Sequence, residues 1–383
     1  MASKSIEQIV MLPFMAHGHL IPFLALARQI HQATGFKISI ASTPLNIQYL
    51  SSTFNSSSDE PENDHIHLLE LPFCNTDNGL PENSENLSLD SIGKLFSASL
   101  GLRKPFHSLV SDIAAKQGHP PLCIISDVFL GWATEVASSL GTVNVTFSTG
   151  GAYGTLAYSS LWLNLPHRGR SDSDEFHLPG FPDSCRFHVN QLHHFLRNAD
   201  GTDSWSKFFQ SQISLSMQSF GWLCNTAEEF EPAGLEWLRN FLKLPVWAIG
   251  PLLPPMVLNN DDSSLSVAAS GISTRRAGKK LEISIEKCME WLESHSPASV
   301  LYISFGSQNS VGPSQMMELA IGLEESAKPF VWGGDMRSKA MVIKEQLRAS
   351  VRDEGEDKGS SVKALDDLIK TLQSKWQVIN SIS

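Results

Sequence analysis

Short continuous runs of apolar residues alternate with stretches of helical spacing along the first part of the chain. Residues 9–14, IVMLPF, form the first run, which is typical of a buried strand. After a predicted loop at residues 15–19, apolar spacing predicts a helix over residues 20–31, and residues 36–41 form the next strand. A strand, a helix and a strand in this order predict a βαβ unit, and therefore a parallel sheet.

The same pattern continues to about residue 250. A helix is predicted over residues 132–140, whereas polar residues predict loops or irregular structure at 52–64, 75–90 and 164–205. Further strands are expected at residues 65–71, 122–126, 143–147, 220–225 and 246–249. The predicted fold class is therefore α/β, built on a parallel sheet.

Residues 254–280 interrupt this pattern with Pro, Asn, Asp, Ser and Gly, and they end in a small basic group. We interpret them as a linker between a first domain, residues 1–253, and a second domain, residues 281–375. The second domain has few predicted strands, which makes its sheet thin for a doubly wound unit. Its predicted elements are helices at 285–294, 315–326, 339–352 and 363–375, and strands at 300–305 and 330–332.

Composition bears on the cellular compartment of the protein and on the kinds of partner that it can bind. A formal net charge of −11 argues against a nucleic-acid-binding surface. The five cysteines are far apart and include no CxxC pair, which favours a reducing compartment with packed thiols. The mostly apolar residues 9–27 are interrupted by Pro13, Gly18 and Pro22, so neither a membrane span nor a signal peptide is predicted. We expect a cytoplasmic monomer without stable membrane insertion.

Polar residues follow three predicted strands at the positions where parallel sheets bind ligands. His17 and His19 follow the first strand, Asp127 follows the fourth, and Ser148 and Thr149 follow the fifth. A histidine paired with a carboxylate is a standard general base, because the carboxylate fixes the tautomer and stabilises the imidazolium. Alternatively, these residues only cap the following helices, which is the commoner arrangement for such a pattern. Both interpretations stay open.

A second candidate site lies in the second domain. Ser304, Gly306 and Ser307 end a predicted strand directly before a helix, where small residues let backbone N–H groups approach a phosphate. The motif is neither a Walker P-loop nor GxGxxG, so an ordinary turn explains it at least as well. A Rossmann-type nucleotide-dependent oxidoreductase stays open, although the missing GxGxxG counts against it. No histidine or cysteine spacing indicates a metal site.

Three ordered motifs resemble those of the plant UDP-sugar-dependent glycosyltransferases. Residues 13–22, PFMAHGHLIP, match the family's glycine-histidine-x-x-proline motif. Residues 126–129, SDVF, match its second signature together with Trp132. Residues 288–292, CMEWL, and 299–307, SVLYISFGS, match its mid-chain signature.

The resemblance implies a GT-B-like fold, in which two Rossmann-like domains with parallel sheets face each other across a cleft. It implies that His19 is the catalytic base, that Asp127 orients it and that His17 is a loop residue without a chemical role. It also implies that Thr149 lies near the sugar, and that Ser307, with Ser304 and Gly306, contacts the diphosphate.

The reaction that this resemblance implies is a metal-independent, inverting displacement. A sugar, expected to be glucose, passes from a UDP-sugar donor to a hydroxyl or carboxyl of a small plant metabolite. The UDP-sugar is a co-substrate, and no cofactor is expected beside it.

The resemblance runs from about residue 5 to Trp332 and resumes at residues 334–375. Between those points the family has a long donor-binding box, from a Trp-x-Pro-Gln stretch through His-Cys-Gly-Trp-Asn-Ser to an acidic residue and Gln, and this chain has no match to it. We therefore expect an internal deletion, by splicing or a gene-model error, that truncates the second domain and weakens or abolishes donor binding. A non-catalytic small-molecule-binding or interaction protein derived from a glycosyltransferase stays open as a second class.

Overall fold

A computed structural model describes residues 7–55, 66–73, 84, 87, 89–253, 285–296, 298–303, 313–332 and 358–381. The strands are β1 (Gln8–Leu12), β2 (Lys37–Ser42), β3 (Ile66–Glu70), β4 (Cys123–Asp127), β5 (Val143–Ser148), β6 (Glu175–Phe176), β7 (Phe187–His188), β8 (Gly221–Cys224), β9 (Val246–Ala248), β10 (Leu301–Ile303) and β11 (Phe330–Trp332). The helices are α1 (His17–Thr34), α2 (Pro44–Asn55), α3 (Leu89–Ser99), α4 (Arg103–Gln117), α5 (Ala133–Ser139), α6 (Ala152–Asn164), α7 (His194–Arg197), α8 (Ser204–Ser216), α9 (Pro232–Leu242), α10 (Ile285–Glu293), α11 (Pro313–Ser326) and α12 (Ser360–Ser381).

Seven strands form one parallel sheet in the order β3-β2-β1-β4-β5-β8-β9. The strand order runs in opposite directions from the central pair β1 and β4, in which Leu12 lies opposite Ser126. This is the doubly wound arrangement, and it confirms the α/β fold class expected from the sequence. The carboxyl ends of β1 and β4 therefore meet at the switch point where sheets of this kind bind ligands.

The central strands are buried on both faces, which explains why they are continuously apolar. Val10 and Leu12 of β1 belong to one core cluster, whereas Ile9 and Met11 belong to the other. Successive side chains of a strand point to opposite faces, so the two clusters are the two layers between the sheet and its helices. The thiol of Cys224 is fully buried in β8, and burial raises its pKa to about 12, as expected for a packed, unreactive cysteine.

The C-terminal helix α12 packs on the first sheet, although it follows the second domain in sequence. Leu365, Leu368, Ile369 and Leu372 of α12 are buried in the same cluster as Ile9 and Ile38. The indole N–H of Trp247 in β9 donates to Asp367 Oδ2 at 2.8 Å, and Ser361 Oγ donates to the carbonyl of Gly250. The helix thus covers the β9 end of the sheet, where apolar side chains would otherwise meet water. The domain boundaries given above stay a prediction.

Replacing Leu368 by alanine is expected to destabilise this part of the molecule by about 2–5 kcal/mol, because the side chain is fully buried and its removal leaves a cavity. The free energy of unfolding in urea measures the effect. Lys375→Ala is the matched control, since Lys375 is an exposed residue of the same helix and should leave the unfolding midpoint nearly unchanged. Equal midpoints for both variants would show that α12 does not contribute to the folded core.

The described part of the second domain is small. β10 and β11 pair in parallel with Leu301 opposite Phe330, and α11 connects them in sequence. Leu323 is the buried residue of α11, whereas Met317 and Ile321 are 62% and 44% exposed. The linker at residues 254–280 and the helix expected at 339–352 lie outside the described residues. Within the described ranges, no helix is both long and apolar enough to cross a membrane.

Two local expectations differ from the structure. Helix α1 begins at His17, so residues 17–19 are its first turn and not a loop. The first turn of a helix has no internal acceptors for its N–H groups, so the polar His-Gly-His sequence fits there as readily as in a loop. No helix was predicted at α2, α3, α4, α6, α7, α8 or α9, although Leu235, Leu238 and Leu242 give α9 a buried face with regular helical spacing.

Candidate active site

The fold brings His19 and Asp127 together although they are 108 residues apart. His19 lies in the first turn of α1, which follows β1, and Asp127 is the last residue of β4. Because β1 and β4 are paired parallel strands, both side chains lie at the same edge of the sheet. His19 Nδ1 is 2.6 Å from Asp127 Oδ2, within the range of a strong charge-assisted hydrogen bond.

The two side chains differ in their access to solvent. The Asp127 side chain is fully buried, whereas the His19 side chain is 21% exposed. A carboxylate on Nδ1 favours the tautomer whose proton is on Nδ1, which leaves Nε2 free of a proton. The arrangement is that of a general base, with a buried carboxylate behind the imidazole.

Asp127 also fulfils the capping interpretation. Its Oδ1 accepts the backbone N–H of Phe129 at 3.0 Å and so caps the 3-10 turn Val128–Leu130. The two carboxylate oxygens thus have separate partners, and the cap fixes the orientation in which Oδ2 meets His19. His19 is not a cap, because the N-cap of α1 is Ala16, which has no side-chain capping hydrogen bond.

His17 faces a different part of the molecule. Its side chain is buried, and its ring stacks on Tyr49 of α2 with centroids 3.9 Å apart and an interplanar angle of 17°. Residues two apart on a helix do not share a face, so α1 presents only one of its two histidines to Asp127. His19, and not His17, therefore contacts Asp127, and the catalytic role of His19 stays a prediction.

A wall of aromatic rings adjoins His19. Phe14 meets the imidazole edge to face at 5.6 Å, and Phe129 lies 5.4 Å from it. Phe14 stacks on Phe96 of α3 at 4.6 Å, and Phe129 contacts Tyr158 of α6 and Phe209 of α8. We call Phe14, Phe96, Phe129, Tyr158 and Phe209 the aromatic wall. Phe14, Phe96 and Phe209 are buried in the core, whereas Phe129 and Tyr158 are partly exposed, so the wall mainly packs against the imidazole and presents little open surface.

One member of the aromatic wall also carries a hydroxyl group. Burial raises the pKa of Tyr158 well above its usual range, so its phenol stays protonated at neutral pH. A neutral phenol can donate one hydrogen bond and accept others. The wall therefore contains a polar group as well as apolar faces.

The remaining predicted site residues divide into two groups. Thr149 follows β5 at the same sheet edge as Asp127, one strand further along, and its carbonyl accepts from Asn225 Nδ2 at 3.3 Å. Ser304, Gly306 and Ser307 lie outside the described residues. Across the described part of the chain, no cluster of three or more His, Cys, Asp or Glu side chains could hold a metal ion. A metal-independent reaction stays a prediction.

The sequence analysis missed Phe14 and Phe129 as neighbours of the base. Both stand inside quoted motifs, PFMAHGH and SDVF, so their closeness to His19 and Asp127 was the available signal. Trp205 stacks on Phe209 at 6.0 Å and packs against the same core. The arrangement depends on long-range packing of α3 and α8 against Phe14 and the 3-10 turn Val128–Leu130, which spacing within one segment does not reveal.

His167, in the irregular segment after α6, gives a prediction about pH. Its side chain is only 2% exposed, and burial, assisted by the charge of Arg168 and opposed by the Leu196 backbone, lowers its pKa below the ordinary value of 6.5. The unfolded chain therefore binds a proton more readily than the folded chain does. The stability from neutral His167 is fully present above pH 6.5 and is lost as the pH falls through the lowered pKa.

Replacement of His167 by phenylalanine removes this titration and keeps a ring beside Phe176. We expect the free energy of unfolding to fall less between pH 7 and pH 5 in His167→Phe than in the wild type. Urea unfolding at several pH values measures the slope, with His107→Gln on α4 as the control histidine. An unchanged slope in the variant would exclude His167 as the source.

Comparisons with known proteins place the chain in a family. The family model "Glycosyltransferase, N-terminal domain" matches residues 6–167. Crocetin glucosyltransferase 3 of Crocus sativus is 45% identical over 83% of this chain and 63% of its own length. UDP-glycosyltransferase 92A1 of Arabidopsis thaliana is 35% identical over 96% of this chain and 71% of its own length.

Solved structures show the same fold. Glycyrrhiza uralensis UGT73P12, complexed with glycyrrhetinic acid 3-O-monoglucuronide, superimposes with a TM-score of 0.67 at 24% identity, over 96% of this chain and 67% of that one. Medicago truncatula UGT71G1, complexed with UDP-glucose, gives 0.63 at 18% identity, over 87% and 67% of the two chains. The chain spans just under two thirds of the length of several curated relatives that it matches. By its sequence identity and its α/β fold, the chain belongs to the plant UDP-glycosyltransferase family.

Proposed function

We propose that the chain transfers a sugar from a UDP-sugar to a small hydroxylated acceptor, with His19 as the general base. The hydrogen bond between His19 Nδ1 and Asp127 Oδ2, 2.6 Å long, is the observation that carries this proposal. It presents a basic nitrogen, backed by a buried carboxylate, at the switch point of the sheet. Several relatives are named glucosyltransferases, which supports glucose as the sugar.

In the proposed reaction His19 Nε2 takes the proton of the acceptor hydroxyl. The acceptor oxygen attacks the anomeric carbon from the side opposite to the leaving UDP, which leaves with the electron pair of the broken C–O bond. The configuration at that carbon is therefore inverted. Asp127 stabilises the imidazolium that forms, and the proton is then lost to solvent.

The aromatic wall supports an acceptor that is apolar or aromatic around its hydroxyl group. Phe129 lies beside His19 and is partly exposed, so an acceptor ring that stacks on it would bring a hydroxyl close to the imidazole. The names of relatives point in the same direction, since they include flavonoid, anthocyanin and scopoletin glucosyltransferases. We propose a carboxyl group as a second kind of nucleophile; it is already ionised at neutral pH, so its oxygen would attack without giving a proton to His19.

Transfer of radiolabelled glucose from UDP-glucose to a panel of flavonoids, terpenoids and coumarins tests this function. A glycosylated product that forms only in the presence of the chain is the expected result. The product's anomeric configuration, read by NMR, should be opposite to that of the donor. A product with retained configuration would contradict the displacement described above.

A second candidate function is acceptor binding without transfer. It is favoured by the shortened match to the relatives and by the apolar side chains that the described part of the second domain exposes, including Met317 and Phe330. We propose that an internal deletion of the donor box causes both the shortened match and the exposure of these apolar side chains. A rise in melting temperature with flavonoids or terpenoids, but not with UDP-sugars, would favour this function over transfer.

A further inference from the structure

The loop that carries Thr149 is held at its C-terminal end by Glu231. This loop joins β5 to α6, and Glu231 precedes α9. Glu231 Oε2 accepts the backbone N–H of Ala152 at 2.8 Å, and Oε1 accepts that of Tyr153 at 3.1 Å. A Cβ atom at Gly151 would lie 2.3 Å from Oε2, so the absence of a side chain there makes room for the carboxylate. Glu231 thus satisfies N–H groups that the first turn of α6 cannot satisfy internally.

The same loop is held at its N-terminal end by Asn225, the residue that follows β8. The backbone N–H of Asn225 is shared between the carbonyls of Ser148 and Gly150, each at 3.2 Å. Its side-chain Nδ2 donates to the carbonyl of Thr149 at 3.3 Å. Three successive carbonyl groups of the loop therefore point at one residue.

The oxygen of the Asn225 side-chain amide binds residues 250–253, the segment by which the chain leaves the first sheet after β9. Asn225 Oδ1 accepts the backbone N–H of Leu252 at 2.8 Å. A Cβ atom at Gly250 would lie only 2.5 Å from Oδ1, so this segment approaches the amide as closely as glycine allows. Residues 250–253 directly precede the predicted linker to the second domain.

We propose that Asn225 is a positioning residue, which ties the loop carrying Thr149 to the exit segment 250–253. The proposal rests on the proposed function and on what the resemblance implies for it, namely that Thr149 lies near the sugar and that the second domain contacts the donor. The Asn225 side chain then fixes the position of the loop that carries Thr149 relative to residues 250–253, which lead into the predicted linker to the second domain. Asn225 itself touches neither substrate and takes no part in the proton transfer.

The chemistry of the side chain explains why an amide suits this position. An amide has a donor and an acceptor at its two ends, as the Thr149 carbonyl and the Leu252 N–H require. Asparagine-to-aspartate substitution keeps the acceptor for Leu252 but places a second oxygen against the Thr149 carbonyl. Asparagine-to-alanine substitution removes both contacts. The two variants therefore separate the two halves of the link.

Amide hydrogen exchange on the full chain tests the link directly. In Asn225→Ala, exchange should become about three- to tenfold faster in both segments, 148–153 and 250–253. In Asn225→Asp, it should become faster in 148–153 while Leu252 keeps its protection. Asn240→Asp is the matched control, because Asn240 is exposed on α9 and should change neither segment. Unchanged exchange in both Asn225 variants, or equal acceleration throughout β1, β4 and β5, would overturn the proposal.

Transfer kinetics test whether the link positions the donor side. The KM for UDP-glucose should rise about three- to tenfold in both Asn225 variants, while the KM for the acceptor stays within about twofold of the wild-type value. Equal changes in both KM values would mean a general structural effect and would overturn the positioning role. If the wild-type chain transfers no sugar, the proposed function fails, and hydrogen exchange alone decides whether Asn225 makes the link.

Discussion

The variant His19→Ala is expected to lose about 10²- to 10⁴-fold in the rate of sugar transfer, because no other base among the described residues is placed against the Asp127 carboxylate. Acceptor binding should change little, since the aromatic wall stays in place. The rate is measured at millimolar UDP-glucose, so that weak donor binding does not conceal the chemical step. Acceptor affinity is measured in parallel by the shift in melting temperature.

Controls for this variant come from the other histidines. His107→Ala removes a histidine on α4 whose hydrogen bond among the described residues is to Ser111 of the same helix, and it should leave the transfer rate unchanged. His17→Gln disturbs the stack on Tyr49, so we expect lower stability rather than a slower chemical step. A His19→Ala protein that is folded, binds acceptor and transfers sugar at the wild-type rate would exclude His19 as the base.

Substitution of Asp127 by asparagine should slow transfer to a comparable extent for a different reason. An asparagine amide donor at the Oδ2 position would favour the tautomer in which Nδ1 has no proton and Nε2 carries one. Nε2 then has no free lone pair with which to take the proton of the sugar acceptor's hydroxyl group. The cap on the 3-10 turn can persist through the amide oxygen, so the fold should survive. Comparing Asp127→Asn with His19→Ala distinguishes loss of the correct tautomer from loss of the base.

Much of the first domain could be predicted from the sequence because its strands are buried on both faces. Continuous apolar runs such as IVML in β1 and CII in β4 have no other plausible location in a chain of this composition. The strands and the βαβ order were therefore predictable to within a few residues. The helices between them are less regular, and α3 and α8 become recognisable only when their aromatic side chains meet those of Phe14 and Phe129.

The candidate site was predictable in part. Parallel strand ends indicate where ligands bind, so His19 and Asp127 were both visible as candidates from position alone. Spacing did not distinguish His19 from His17, because both occupy the first turn of α1. The resemblance to the family made that distinction, and in the structure His19 is the one of the two that contacts Asp127, at 2.6 Å. Asn225 and Glu231 had no sequence signal, since their partners are backbone groups far away in the chain.

UDP-glucose is expected to bind the chain at least about thirtyfold, and up to about ten-thousandfold, more weakly than it binds a relative with a complete donor box. By the resemblance, that box supplies a stack on the uracil and hydrogen bonds to the ribose. The loss of these two sets of contacts should cost about 1–3 kcal/mol each, and each 1.4 kcal/mol is a tenfold change in Kd. By the resemblance, Ser307 would still contact the diphosphate, but a diphosphate contact alone does not select UDP.

Calorimetric titration of UDP-glucose into the chain measures this affinity, with an acceptor titration on the same sample to show that the first domain is folded. A matched variant carries the donor box of a relative inserted after Trp332, and it should bind UDP-glucose far more tightly than the chain itself does. Micromolar binding of UDP-glucose by the unmodified chain would mean that residues outside the family's donor box bind the nucleotide. In that case acceptor binding without transfer would lose its main support, because the two substrates of the proposed reaction would then both be bound.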